Sequence, residues 1–396
     1  MHEWNVGHKD AQVEVTDFSQ YGAPVDIALD SNSEDQPTLV LAPEFTTAKM
    51  REALAQKKVI PIGQFLDDDR LSNIAEIVKR TFGNSEGRLD SLPFNPSCGV
   101  IYTNKALLQK IGKDQDYVPR SIEELENVCR ELLEKGCVEA GYTSAWPAAY
   151  LVEVPAAQQD IALVKPKNGM LGYGSYVLNS EWLVQHLLDL RRQHQEKIYT
   201  YEGKDNNSRK KFVEGKVAFF MQGSPHNSWL SKEASEAEQP FEVGCGPLPT
   251  LVQGQTERYA FPLGGASIWV MNNQNTTKMV EHVRAFLNYL SGAETQERWH
   301  KETGYVPVRT LPKRLEAFYR NHPVHRAVVA QTIESKLGEH SFGIHMPNYK
   351  EARERLFDLI EEVLDPQTPD ERVRELLAEF DKNFSIPADT GDSPRD

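Results

Sequence analysis

The chain has little of what would commit it to a specialised chemistry. Its four cysteines, Cys98, Cys129, Cys137 and Cys245, are too few and too scattered among 396 residues for a disulfide framework or a zinc ribbon. Cys129 and Cys137 lie across an expected helix end at a spacing foreign to metal ligands. No apolar run approaches the roughly 20 residues that span a bilayer, and short runs such as Thr38-Leu39-Val40-Leu41-Ala42 read as buried strands. Positive charge is in deficit, 44 Lys plus Arg against 58 Asp plus Glu, for a net charge of −14. That balance argues against a nucleic-acid binder, because neutralising phosphates needs a basic face; it leaves room for one pocket with a single well-placed cation. Catalytic signatures are missing too. There is no G-x-S-x-G elbow, P-loop or H-E-x-x-H, and Gly172-Tyr173-Gly174 lacks the third glycine of a dinucleotide loop. His322 and His325 have Pro323 between them and no carboxylate partner at helical spacing, so they read as surface histidines at a helix start. No metal and no other cofactor is expected.

What the chain does have is alternation. With 39% hydrophobic residues over 396 positions it can bury a sizeable core, and its length suggests two or three domains. Strand-like apolar segments (Gln12 to Val15, Thr38 to Ala42, Gly99 to Tyr102, Val217 to Met221, Ala266 to Met271) alternate with amphipathic helical ones, which predicts an α/β protein. The clearest helix runs from Ser121 to Glu134: Ser121 with Glu124 forms a capping box, and Gly136 supplies the stop. Further helices are predicted over Thr47 to Gln56, Glu181 to Gln193 and Met279 to Leu290. From Leu311 onward the pattern is almost wholly helical, ending in a polar, disordered tail over 385–396.

Three local features point to ligand binding, each with an ordinary structural reading beside it. Gly223-Ser224-Pro225 stands between a strand and a helical stretch, where Ser as N-cap and Pro at the first position leave free N–H groups; an anion, a sugar hydroxyl or nothing at all could use them. Gly264-Gly265 before a strand allows close backbone approach to a ligand, or simply a tight turn. Trp146 sits in a Gly/Ser/Pro-flanked loop, placed to serve as an aromatic plate or as a core residue.

Together the segments resemble the extracellular solute-binding proteins of ABC importers, within the branch that binds sn-glycerol-3-phosphate. The resemblance runs from about Ala11 to about Phe384. Its sharpest pieces are Pro93-Phe94-Asn95-Pro96-Ser97 with Asn104-Lys105, then Gly264-Gly265-Ala266-Ser267-Ile268-Trp269-Val270-Met271, then Trp299-His300-Lys301-Glu302-Thr303-Gly304-Tyr305-Val306-Pro307. It implies a two-lobed, type II-like periplasmic-binding-protein fold with the ligand in a cleft between α/β lobes. Lobe one would hold 1–104 and 259–305, and lobe two 105–258 and 306–384. It implies a binding protein rather than an enzyme, a phosphorylated glycerol or sugar as ligand, a membrane-bound ABC permease as partner, no nucleic acid, a monomer, and a periplasmic or extracytoplasmic location.

Site residues transfer one at a time. Tyr21 matches a family tyrosine, Glu44 an acid accepting from glycerol hydroxyls, Ser97 a hydroxyl donor, and Trp146 the wall against the glycerol carbons. Gly265 matches a backbone N–H donor and Tyr305 a phenol directed at phosphate. Two positions depart. The family serine falls on Gly223, with Ser224 one residue later, and the phosphate-binding arginine falls on Lys350, a point charge without the bidentate fork. Arg353, three residues on, is a substitute cation. The family also begins with an export signal, a strand and a long helix that Met1 to Asp10 do not supply; a start codon set too late, or a truncated chain, accounts for this. Two rival readings are a binding protein for a neutral mono- or oligosaccharide, and a hydrolase pairing Glu44 with a second carboxylate such as Glu153.

Overall fold

A computed structural model describes residues 1–16, 23–30, 36–203, 207–251, 259–309 and 315–388. The chain divides into two compact α/β units. Unit one comprises Met1–Pro96, Leu263–Glu302 and Pro307–Leu311; unit two comprises Ser97–Pro262, Thr303–Val306 and Pro312–Asp396. The sequence places the first change of lobe at Asn104. In the structure, the strand Gly99–Asn104 is paired along both edges within unit two's sheet, so the change falls before Ser97.

In unit one, the strand Ala266–Met271 is buried at every residue because it is central. Leu39–Pro43 pairs antiparallel along one of its edges, and Val59–Ile60 and Leu92–Pro93 pair along the other. The outer strand Leu39–Pro43 shows the two-residue period of a half-covered sheet: Val40 and Ala42 enter a core with Val25, Ala28, Met50, Ala53 and Trp269, while Leu41 is exposed. The helix Thr47–Ala55 contributes Met50 and Ala53 to that core. The strand predicted at Gln12 to Val15 does not form. Both backbone groups of Val13 are taken by the Asn5 side chain, its N–H donating to Oδ1 (2.8 Å) and its carbonyl accepting from Nδ2 (3.0 Å). The opening residues instead make a helix, His2–Gly7, whose buried Trp4 packs on Phe286 and Tyr289 of the helix Val280–Leu290.

Unit two is built on a five-stranded sheet ordered Val243–Pro247, Gly99–Asn104, Phe219–Gly223, Tyr142–Ser144, Tyr199–Thr200. The register pairs Gly99 with Gly223, Pro247 with Val100 and Ser144 with Met221, so the carboxyl ends of Val243–Pro247, Phe219–Gly223 and Tyr142–Ser144 share one end of the sheet with the start of Gly99–Asn104. In α/β sheets ligands gather beyond such carboxyl ends. The helix Ile122–Glu134 forms as predicted: Ser121 Oγ accepts from Glu124 N (3.2 Å), and the Glu124 carboxylate accepts from Arg120 N (2.8 Å), one residue earlier than a standard capping box.

The C-terminal part is less helical than its pattern suggests. Helices span Glu316–Arg320, Pro323–Gln331, Tyr349–Leu364 and Asp370–Phe384, but 332–348 is irregular. Asp160 explains part of this, since its Oδ1 accepts from His340 N (2.7 Å) and a Cβ at Gly338 would lie 2.3 Å from the same oxygen. Side-chain bonds of this kind compete with helix formation. His322 is exposed as expected, but His325 is buried, which corrects its reading as a surface residue. The start of the tail expected to be disordered over 385–396 is ordered, because Gly174 and Ile386 exchange two backbone hydrogen bonds (2.8 Å each); 389–396 lie outside the described residues. The four cysteines are free thiols. Among the described residues, no helix is long and apolar enough to cross a membrane.

Candidate functional site

Most of the candidate residues of unit two meet at the end of its sheet where the strand carboxyl ends collect. Ala145 N still donates to Met221 O (3.0 Å), and the chain turns at the next residue. That residue is Trp146, with φ of +49°, a backbone region that a bulky side chain rarely adopts. The turn is held because Trp146 O accepts from Ala149 N (2.9 Å) and Tyr150 N (3.1 Å), opening one wide helical turn over Ala149–Glu153. The indole, 45% exposed, projects from this turn with its ring 6.3 Å from Phe357. An exposed tryptophan on strained backbone suits contact with a ligand better than a place in the core.

Beside it stands Tyr150, which the sequence reading missed. Its ring covers Gly99, where a Cβ would sit 2.6 Å from Cε1, and its hydroxyl lies 3.4 Å from where a Cβ at Gly223 would sit. The only signal was its spacing, four residues after Trp146. Ser97 is half-buried at the start of the same sheet end.

Gly223 and Ser224 are placed here too, with roles the sequence did not foresee. Ser224 does not cap a helix. It is fully buried, its N–H donates to Cys98 O (2.9 Å) and its hydroxyl donates to Gly304 O (2.7 Å), which ties Thr303–Val306, and with it Tyr305, to this end of unit two. The Gly223 N–H donates to the Gln222 side chain (2.8 Å), and the Tyr102 hydroxyl donates to the carbonyls of Gly223 (3.0 Å) and Ser224 (3.1 Å). Burial pushes the Cys98 thiol up to about 12, opposed by its hydrogen bond with Ser224. Burial, with Arg209 adding to it, lowers His226 to about 4, so this histidine is neutral at physiological pH, packed edge-on to Trp229 (4.8 Å).

Lys350 lies in the first turn of the helix Tyr349–Leu364, half-buried. Arg353 on the same helix faces Glu153: Nε to Oε1 is 3.1 Å and a terminal nitrogen reaches Oε2 at 2.7 Å. Tyr349 donates to the same Oε2 at 2.7 Å. Arg353 is thus engaged by a carboxylate only 6% exposed rather than offered as a substitute cation. The engagement also takes Glu153 out of any two-carboxylate hydrolysis. A lone acid in the apolar run Leu151-Val152-Glu153-Val154 was the available sign that it has a buried partner.

Unit one brings Glu44 and Gly265 together, Glu44 N donating to Gly265 O (2.9 Å) where the strand Leu39–Pro43 ends. Gly265 has φ of +103°, and a Cβ there would lie 2.1 Å from Asn95 O. Asn95 Oδ1 in turn accepts from Ala266 N (2.9 Å), and Phe94 stacks on Trp299 (4.9 Å). The first of the three sequence fragments behind the resemblance therefore touches both of the others. Tyr21 lies outside the described residues. A cavity of about 660 Å³ elsewhere in unit two, lined by Lys105, Asn227, Phe241, Glu242, His322 and His325 among others, contains none of the candidate ligand residues.

Residues 3–318 match the family described as bacterial extracellular solute-binding protein. The chain belongs to that family. It is 26% identical over 326 residues to the sn-glycerol-3-phosphate-binding periplasmic protein UgpB of Yersinia pestis, covering 80% of this chain and 72% of that one. With UgpB of Escherichia coli (strain K12) it is 26% identical over 364 residues, 88% of this chain and 81% of the other. Among solved structures it is similar to UgpB from Mycobacterium tuberculosis in complex with glycerophosphocholine (TM-score 0.74, 17% identity, 97% of this chain and 92% of that one). It is equally similar to a cyclic alpha-maltosyl-1,6-maltose binding protein from Arthrobacter globiformis (TM-score 0.75, 15% identity, 97% and 93%). The fold is the two-lobed periplasmic-binding-protein fold. The family is extracellular or periplasmic, and its members are substrate-binding transport proteins, not enzymes. The chain is accordingly the solute-binding component of an ABC importer.

Proposed function

We propose that the chain captures sn-glycerol-3-phosphate or a glycerophosphodiester and delivers it to a membrane permease. The observation that carries this reading is the grouping in unit two of a half-exposed tryptophan on strained backbone (Trp146), the hydroxyl-bearing Ser97, the Ser224-tethered segment of Tyr305 and the helix start bearing Lys350. The identity to two glycerol-3-phosphate-binding proteins adds weight. In this reading Trp146 packs on the glycerol carbons, and Ser97 donates to the ligand from unit two. Glu44 and Tyr21, from unit one, contact the hydroxyl end. The Gly265 N–H, the Tyr305 hydroxyl and the Lys350 ammonium meet the phosphate, while Gly223 and Ser224 shape the floor. A lysine supplies charge without the two parallel donors of an arginine, which favours recognition by charge over recognition by fork geometry.

A second reading, a neutral mono- or oligosaccharide, is favoured by the maltose-type structural neighbours and by the missing arginine. Isothermal titration with glycerol-3-phosphate, glycerophosphocholine and maltose separates the two. Binding of a phosphorylated ligand that weakens with salt supports the first; salt-insensitive binding of maltose alone overturns it. We further propose that the protein works as a monomer outside the cytoplasmic membrane. Light scattering with and without ligand tests the monomer, and surface-specific labelling of cells tests the location.

A further inference from the structure

We propose that Glu153 is a positioning residue that holds the aromatic plate and the cationic helix start of unit two in one fixed arrangement, through Arg353 and Tyr349. Glu153 ends the wide turn that Trp146 opens, so its carboxylate and the indole belong to one short rigid segment. Its two oxygens are bound by residues from the first two turns of the helix Tyr349–Leu364: Arg353 reaches both, and Tyr349, the neighbour of Lys350, donates to Oε2. The guanidinium also lies over the Tyr349 ring at 5.0 Å, so the three groups close on one another. Phe357, one turn further along the helix, stands beside Trp146 and adds a second point of contact. A buried ion pair of this kind contributes little net stability compared with apolar packing of the same volume. What it does supply is direction, because a planar guanidinium on a carboxylate fixes angle as well as distance. The pair also neutralises Arg353 and holds its guanidinium in place.

The inference rests on the proposed ligand site only in part, since one of its readouts needs no ligand. In the ligand-free full chain, the emission of Trp146, taken as the difference from a Trp146→Phe reference, should shift to the red in Glu153→Gln, and acrylamide quenching of that indole should rise. The affinity for whichever of glycerol-3-phosphate, glycerophosphocholine or maltose the wild type binds should fall about ten- to a hundred-fold. Because an unpaired buried arginine can unfold a protein, the double variant Glu153→Gln with Arg353→Gln is measured beside it; both partners are then neutral and similar in size. The double variant should show the same Trp146 shift and an affinity loss no greater than that of either single variant. Wild-type emission and wild-type affinity in the folded double variant would overturn the proposal. A gain in phosphate affinity in Glu153→Gln, matched by a loss in Arg353→Gln, would also overturn it, by making Arg353 a ligand contact held in check. If no tested ligand binds the wild type, the functional reading fails, while the emission measurement still decides the role of Glu153.

Discussion

Replacing Gly265 with alanine tests the geometry of unit one more directly than any ligand measurement. Two penalties are legible there. The backbone φ of +103° lies where an L-residue is strained, at about 1–3 kcal/mol. The new methyl group would also sit 2.1 Å from Asn95 O and 2.9 Å from a carbon of Pro96, backbone atoms that cannot swing aside. Overpacking of this sort costs about 1–3 kcal/mol more. We expect Gly265→Ala to lose roughly 3 kcal/mol, or about 6–12 °C in Tm for the transition of this unit. Gly63→Ala is the control: no heavy atom lies within 4 Å of the added Cβ and the backbone is not in the left-handed region, so its midpoint should move by no more than about 0.5 kcal/mol. Urea and thermal unfolding of both variants, followed by circular dichroism, give the comparison. Equal midpoints for Gly265→Ala and Gly63→Ala would show that Gly265 does not have the conformation described, and would remove the argument that joins it to Glu44.

Other perturbations address unit two. Lys350→Glu should abolish binding of a phosphorylated ligand in titration calorimetry; unchanged affinity would take Lys350 out of the site. Trp146→Ala should weaken binding by on the order of 2 kcal/mol, about thirty-fold, with the fold retained by circular dichroism. Ser224→Ala leaves the Gly304 carbonyl without its 2.7 Å donor and should lower stability by about 1–3 kcal/mol in urea, together with ligand affinity through Tyr305. His226 stays neutral in the fold down to about 4, whereas in the unfolded chain it takes up its proton near 6.5. The unfolded state therefore binds more protons between those values, and the contribution of His226 to stability, complete above 6.5, is lost as pH falls toward 4. His226→Asn should flatten that part of the pH–stability curve.

The sequence was most informative where local chemistry and global packing agree. Ser121 caps its helix and Ala266–Met271 forms a strand, because a capping hydroxyl and an apolar run broken only by Ser267 are each legible in a few consecutive residues. It was least informative where a distant partner decides the outcome. Val13 is kept from a strand by Asn5, 332–348 is kept from a helix in part by Asp160, and Ser224 is turned from a helix cap into a tether by Gly304. The candidate site divides in the same way. Ser97, Trp146, Gly223 and Ser224 collect at one sheet end, although the lobe boundary expected at Asn104 had put Ser97 in the other lobe. Tyr150 became visible only against Gly99 and Gly223, and the Glu153–Arg353–Tyr349 group only when residues some 200 positions apart were brought into contact. A side chain's partner across that separation leaves no periodicity to read.

The contacts of Phe94 with Trp299 and of Asn95 with Gly265 and Ala266 bear on how this lineage can drift. Three stretches far apart in the gene are joined there by a stacked ring pair, a backbone approach that tolerates only hydrogen, and a side-chain hydrogen bond to the first residue of the central strand. A substitution in the stretch of Phe94 and Asn95 is tested at once against the other two. Among descendants, these positions should change in company or not at all, while the exposed helical faces around them vary one residue at a time.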